Sequence, residues 1–402
     1  MSQSELPQKV DVAIIGGGIV GLTIANLLKT LPIKVALIEA SEPTDWSAEK
    51  YDLRVSAISK ASEELFKQIG IWDRLVESRV SPYSDMLVWE SAMNGSDALE
   101  FTATSVQQEN LGHIIENKLI REVLYKALDD SQKAKLSTYC PEAIDSIAVD
   151  EKSASLQLKS GKTIRSKLII AADGANSTTR KVLHLTSAAR SYEQVGLVAH
   201  LQLEKPHIST AYQRFHQQEV LAFLPLENSK EVSMVWSIAN TKAERVLSQS
   251  PEQIQEQLSE FMQNEFGSVT LLSSVRSFPL QLLHAEQYVR ERVVLCGDAA
   301  HAIHPLAGQG VNIGLLDARS LVETLESAWQ KNYDLGDLSI LRQYERSRKA
   351  ANVRMMGALD VLLDVFQSQQ PIVQNMRRFG MGLVNRLGPI KQELMQHALG
   401  LR

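Results

Sequence analysis

The glycines of Gly16-Gly17-Gly18-Ile19-Val20-Gly21 are spaced as G-x-G-x-x-G, just after the largely apolar run 10–15 and just before the apolar stretch Ile19 to Leu31. Glycines so placed let the chain turn tightly, bring bare backbone against a phosphate and pack a helix close on a strand. The helix that follows aims its free N–H groups and positive dipole end at that phosphate. Glu39 ends a second run, Lys34 to Glu39, where a carboxylate accepts hydrogen bonds from an adenosine ribose. Gly16, Gly18, Gly21 and Glu39 therefore read as a dinucleotide site, and this fingerprint alone fits FAD and NAD equally.

Strand, helix and strand over residues 10–39 form a β-α-β unit, which demands parallel pairing. Two later runs, Lys167-Leu-Ile-Ile-Ala-Ala-Asp173-Gly174 and Arg292-Val-Val-Leu-Cys-Gly297-Asp298, are apolar and end in Asp and Gly, where a parallel sheet meets its ligand. Both are expected to join the first sheet. A helix expected from about Gln309 would put further free N–H groups beside the same ligand. Residues 185–285 alternate apolar and polar and predict a second, antiparallel sheet, with residues 84–101 adding strands. Phe223, Leu224, Pro225, Met234 and Trp236 are candidate walls of a dry pocket, although the same alternation fits an ordinary core. From Leu338 the pattern turns helical, with Met355, Leu359, Leu362, Leu363 and Phe366 on one face.

Asp173-Gly174-Ala-Asn-Ser177, followed by Arg180, and the stretch from Gly297-Asp298 through His301 to Asn312 resemble two further fingerprints of the aromatic-hydroxylase class of flavoproteins. His304-Pro-Leu-Ala-Gly-Gln-Gly-Val-Asn312, Asp52-Leu-Arg54-Val-Ser-Ala-Ile-Ser59, Leu111-Gly-His-Ile-Ile-Glu-Asn117, Tyr344-Glu-Arg-Ser-Arg-Lys349 and Ala398-Leu-Gly-Leu401 spread the match over nearly the whole chain. Together they resemble the UbiH/UbiF/VisC-type hydroxylases of ubiquinone biosynthesis.

The resemblance implies FAD as cofactor and NAD(P)H as electron donor. It places Asp173 near both, Asp298 at the ribityl and pyrophosphate region, and Gly308, Gln309, Gly310, Val311 and Asn312 along the isoalloxazine ring, with Gly297 and Pro305 as further cofactor-binding residues. It gives Arg54 and Asn117 further polar contacts to FAD, though Arg54 also reads as a surface ion-pair residue. The implied reaction is hydroxylation of a polyprenylated phenol or quinol by O2 through a flavin C4a-hydroperoxide. Segments 111–117 and 344–349 look most like the VisC-type (UbiI-like) enzymes that act at C5. A monooxygenase of the same class acting on another aromatic, and a non-catalytic flavin subunit of a biosynthetic complex, stay open as alternatives. No residue is singled out as catalytic, since no spacing names a dedicated base. His301 and His304 read as fixed hydrogen-bonding elements, without metal-site spacing.

The expected fold is α/β: a discontinuous, Rossmann-like FAD-binding domain of the glutathione-reductase type (1–75, 105–182 and 286–335), an antiparallel-sheet substrate domain (76–104 and 183–285) and a C-terminal helical region (336–402). A length of 402 residues suits two domains. A net charge of −5 argues against a nucleic-acid partner. Cys140 and Cys296, the two cysteines, support neither a disulfide framework nor a zinc site, so a reducing compartment is expected. No apolar run of about 18 residues is present to span a membrane. Residues 341–402 nevertheless carry ten Lys/Arg against four Asp/Glu. Arg354, Arg377, Arg378, Arg386 and Lys391 could lie on an anionic membrane, or the region could be a helical layer on the FAD-binding domain. The expected location is cytoplasmic, peripheral to the inner membrane, and oligomerisation is left open.

Overall fold

The computed structural model describes residues 7–93, 95, 98–129, 135–303, 310–367, 370, 391–392 and 395–396. The expectations made for His304, Pro305, Gly308, Gln309, Arg377, Arg378 and Arg386 lie outside these residues.

Val12–Ile15, Val35–Ile38, Leu168–Ala171 and Val293–Leu295 are strands in which every residue is buried. Strands covered on both faces must read as continuous apolar runs, which is why these stood out. They lie in one six-stranded sheet, in the order Val289–Arg290, Val293–Leu295, Leu168–Ala171, Val12–Ile15, Val35–Ile38, Leu136–Tyr139. All its pairings are parallel except that of the Val289–Arg290 edge. Both later apolar runs therefore join the first sheet, as the sequence requires.

Helix α1 (Ile19–Leu28) packs on this sheet through Leu22, Ile24 and Leu28, all fully buried. Each such side chain contributes about 1.5–3 kcal/mol by leaving water. The helix stops short of Leu31 because the Thr30 and Leu31 amides bond back to the Leu27 and Leu28 carbonyls, a tightened last turn ahead of Pro32. Helix α2 (Asn117–Asp129) lies beside α1, and Asn26 joins the two by donating to the Leu124 carbonyl at 2.9 Å. Helices α3 (Asn240–Leu247) and α4 (Pro251–Phe261) belong to the second unit, whereas α5 (Gly310–Gln330) and α6 (Leu338–Gln367) return to the first.

That second unit is built on a nine-stranded sheet around the long strand Ser187–Leu203. Its pairing is antiparallel except between Thr210–His216 and Asp85–Trp89, which run parallel. The chain between these two strands passes back through the first unit, so no hairpin forces them antiparallel. Successive side chains point to opposite faces. Leu221, Phe223, Met234 and Trp236 meet Ala243 and Val246 of α3 and Ile254 and Leu258 of α4. Val220 and Leu224 point the other way, into clusters with Phe215 and with Ala57 and Ile114. The candidate wall is thus corrected: Phe223, Met234 and Trp236 belong to the helix-side core, Pro225 pairs opposite Val232 of that same core, and Leu224 points inward.

A three-stranded sheet of Val55–Ile58, Gly112–Glu116 and Ser81–Tyr83 supports the inward side. The first half of α6 is core, with Leu341 and Tyr344 fully buried and the Tyr344 hydroxyl donating to the Leu295 carbonyl at 3.0 Å. Among the described residues no helix is long and apolar enough to cross a membrane.

His113 lies buried in the strand Gly112–Glu116, edge-on to Trp72 and 3.3 Å from the Glu63 carboxylate. Burial pushes its pKa down to about 4, against the opposing pull of Glu63. An unfolded chain binds that proton from about pH 6.5 downward. Stability from His113 is therefore present above about pH 6.5 and lost as the pH falls toward 4, by at most about 3 kcal/mol. His200, His207 and His284 are shifted the same way by burial. Denaturant titrations from pH 7 to 4.5 should show His113→Phe flattening the pH slope of stability by up to about 1.4 kcal/mol per pH unit. A slope equal to the parent's would remove His113 from this account.

Candidate functional site

Ile15, Ala171 and Leu295 stand level in the parallel register, Ala171 opposite both of the others. The turns that follow them leave one edge of the sheet side by side, although more than a hundred residues separate each from the next. They border one groove of about 730 Å³. Of the residues singled out from sequence, Gly16, Gly18, Glu39, Arg54, Asn117, Asp173, Asp298, Gly310 and Val311 line it.

Gly16 has φ +107°, and a Cβ there would lie 2.3 Å from the Ala172 carbonyl oxygen, so no other residue fits. Gly21 does not line the groove. It lets α1 close on the turn, since a Cβ on Gly21 would sit 2.0 Å from the Gly16 oxygen. No side chain caps the N-terminus of α1, which leaves its first amides for an anion. Glu39 accepts from the Gly17 amide at 2.5 Å and from Ser41, and lies 3.5 Å from Arg121. Burial works against its ionisation, but these hydrogen bonds and the Arg121 charge hold its carboxyl below the usual carboxylate value. Asn117 opens α2 and accepts from the Ser56 hydroxyl at 2.6 Å.

In the second turn, one Asp173 oxygen accepts from the Thr179 amide and hydroxyl. The other, Oδ1, is buried and has no hydrogen-bond partner among the described residues. In the third, Asp298 follows Gly297 and lines the groove, exposed among neighbouring protein groups. Those surroundings push the Asp298 carboxyl up, with His301 and Arg54 pulling the other way. The Arg54 guanidinium lies 5.4 Å from the centre of the Phe278 ring, a residue of the second sheet.

Some of the site was missed from sequence. Lys118, Arg121 and Lys159 join Arg54 on the groove wall, which also carries the carboxylates of Glu39, Asp52, Glu142, Asp173 and Asp298. Arg121 also donates to the Gly17 carbonyl at 2.8 Å, so it stiffens the glycine turn. Arg180, buried, donates to the Ala299 carbonyl at 2.5 Å and to that of Ala175, tying the second turn to the third. The one available signal for Arg121 was its place one helical turn beyond Asn117 on the same face. Asn312, in contrast, keeps its side chain out of the groove: it accepts from the Ser59 amide and the Ser62 hydroxyl and donates to the Ala57 carbonyl, fastening α5 to the segment after Arg54.

A groove with a glycine turn at the start of α1, the Glu39 carboxylate, several cations and an Asp173 oxygen without a partner among the described residues fits a dinucleotide. The family profile described as FAD binding domain matches residues 9–358. The chain is 33% identical to 3-demethoxyubiquinol 3-hydroxylase of Escherichia coli (strain K12), over 98% of this chain and 99% of that one. It is also 33% identical to the mitochondrial ubiquinone biosynthesis monooxygenase COQ6 of Xenopus tropicalis, over 98% of this chain and 94% of that one. Its fold resembles that of p-nitrophenol 4-monooxygenase PnpA from Pseudomonas putida DLL-E4, with a TM-score of 0.79 at 16% identity, covering 97% and 98% of the two chains. The chain belongs to the FAD binding domain family, in the group that holds the ubiquinone-biosynthesis hydroxylases, and is an FAD-dependent monooxygenase.

Proposed function

We propose that this groove seats FAD and that the protein hydroxylates the aromatic ring of a polyprenylated phenol or quinol on the way to ubiquinone. The observation that carries the reading is the convergence of the Gly16, Asp173 and Asp298 turns on one groove. The substrate class follows from the relatives, a 3-demethoxyubiquinol hydroxylase and a ubiquinone biosynthesis monooxygenase. Bound FAD, reduced by NAD(P)H, supplies the activation of O2.

The chain's own contribution is binding, orientation and exclusion of water. Glu39 takes the adenosine ribose, and the α1 amides with Arg121 take the pyrophosphate. Asp173 and Asp298 take polar groups further along, and Gly310 and Val311 border the ring end. Arg54, lying over Phe278, sits where the groove meets the inward face of the second sheet. On that face Phe215, Val220 and Leu224 are apolar and buried, which suits a dry pocket for a phenol ring. We assign the FAD-binding domain to 1–75, 105–182 and 286–335, the substrate domain to 76–104 and 183–285, and the helical region to 336–402.

Hydroxylation at C5 is the finer reading, and it rests on segments 111–117 and 344–349. Glu116, bonded to Arg79, and Tyr344, bonded to Leu295, serve the scaffold, and Asn117 lines the groove without distinguishing ring carbons, so product analysis must decide the ring position. Contact with an anionic membrane surface is proposed for the C-terminal region beyond the buried half of α6, where a polyprenyl substrate would be met.

Gly21→Val should abolish the visible absorbance of bound flavin in purified protein, since backbone cannot yield by the distance required. Asp298→Ala should keep some flavin but weaken its binding by about tenfold, the worth of one charged hydrogen bond. Full occupancy in Gly21→Val would overturn the placement of FAD.

A detergent-solubilised assay should find hydroxylated product from a prenylated phenol and much less from its unprenylated counterpart, with mass spectrometry of the product assigning C5. Equal turnover of both, or a product at another carbon, would refute the corresponding part.

Vesicle sedimentation should show binding to anionic but not neutral lipid, lowered when Arg377, Arg378 and Arg386 are changed to Glu. Undiminished sedimentation of that variant would count against the membrane reading.

A further inference from the structure

A fully buried carboxylate lies directly behind the Asp298 turn. Asp317, in the middle of α5, has no exposed surface, and four donors from two other parts of the chain converge on it. Its Oδ2 faces the Gly297 amide at 3.3 Å and the His301 Nε2. Its Oδ1 accepts from the Arg348 Nε at 2.7 Å and the Asn352 Nδ2 at 3.2 Å, both on α6. Arg348 and Asn352 are in turn joined to each other at 3.1 Å. A carboxylate with no water around it is tolerated only when paired and hydrogen-bonded, so this set is not interchangeable with an apolar one of the same shape.

Gly297 and His301 bracket the turn that carries Asp298 into the groove. One carboxylate grips both ends of that turn, which fixes where the Asp298 side chain points. Arg348 balances the charge of the grip from α6, an element that does not line the groove. Burial opposes the ionisation of Asp317, yet the charges and hydrogen bonds of His301 and Arg348 hold its carboxyl below the usual value, so the anion persists.

We propose that Asp317 is the positioning residue for the Asp298 turn, and that Arg348 makes flavin binding depend on the docking of the C-terminal helix α6. The inference rests on the reading that Asp298 contacts FAD. Asp317 touches neither cofactor nor substrate and acts only through Gly297 and His301.

The test uses the full-length chain, stripped of flavin and titrated with FAD, with binding and the visible absorbance bands of the bound flavin recorded together. Asp317→Asn keeps the shape and removes the charge. It should raise the FAD Kd by about tenfold or more and shift the flavin bands. Arg348→Gln should do the same more weakly, and Arg348→Lys should recover part of the loss. Because the Arg348 side chain is partly exposed, its variants keep the question answerable if Asp317→Asn fails to fold. Unchanged Kd and bands in Arg348→Gln, alongside weakened binding in Asp298→Ala, would overturn this inference alone. Unchanged binding in Asp298→Ala as well would overturn the Asp298 reading beneath it.

Discussion

The parallel register that sets Ile15, Ala171 and Leu295 level obliges three turns, far apart in sequence, to emerge at one edge of one sheet. The groove follows from that single constraint. Parallel strands place their C-terminal ends together, and the loops beyond them become neighbours without any loop having to reach. What then remains is to hold the turns at fixed spacing while leaving their polar groups pointing outward. Gly16 and Gly21 do this at the first turn by removing side-chain bulk where α1 meets the strand end. Arg180 does it between the second and third turns with a guanidinium that bonds carbonyls on both.

Much of this was legible in the sequence, for identifiable reasons. A strand buried on both faces must be apolar throughout, so the parallel strands announced themselves, and a turn that excludes Cβ atoms must spend glycines. The apolar stretch from Ile19 runs to Leu31, ahead of Pro32, whereas the tightening that ends α1 at Leu28 lies in backbone hydrogen bonds that no residue type records. The wall of the pocket was misread for a similar reason. Alternation says that Phe223 and Leu224 face opposite ways, but not which of them meets α3 and α4. That answer depends on helices that are later in sequence and on the side they choose.

Side chains that act over long sequence distances were the least legible. Arg121 meets Gly17, and Arg180 meets Ala299, only after the sheet has brought their elements together. Arg121 showed only its place one helical turn beyond Asn117 and Arg180 only its place after the Asp173 fingerprint; neither position names its partner, and an arginine is ordinarily a surface residue. Asp317 did leave a trace: it sits between Leu315 and Ala318, on the most buried stretch of α5, where an acid has no business unless something pairs it. A lone carboxylate in an apolar helical stretch is therefore a sign of a partner elsewhere, although its identity waits on the fold.

The buried anion also explains why the C-terminal region cannot be treated as a detachable appendage. Leu341, Tyr344, Arg348, Asn352 and Met356 recur every three or four residues on one face of α6, four of them buried and Arg348 reaching Asp317 from the same side. On the far side Val353 and Val361 are exposed. A helix of 30 residues is about 45 Å long, and its two halves share one unbroken backbone ladder. Whatever its exposed part touches is thus mechanically continuous with the grip on the Asp298 turn. If a membrane meets that exposed part, contact with the lipid and the posture of the flavin turn become two readings of the same helix position.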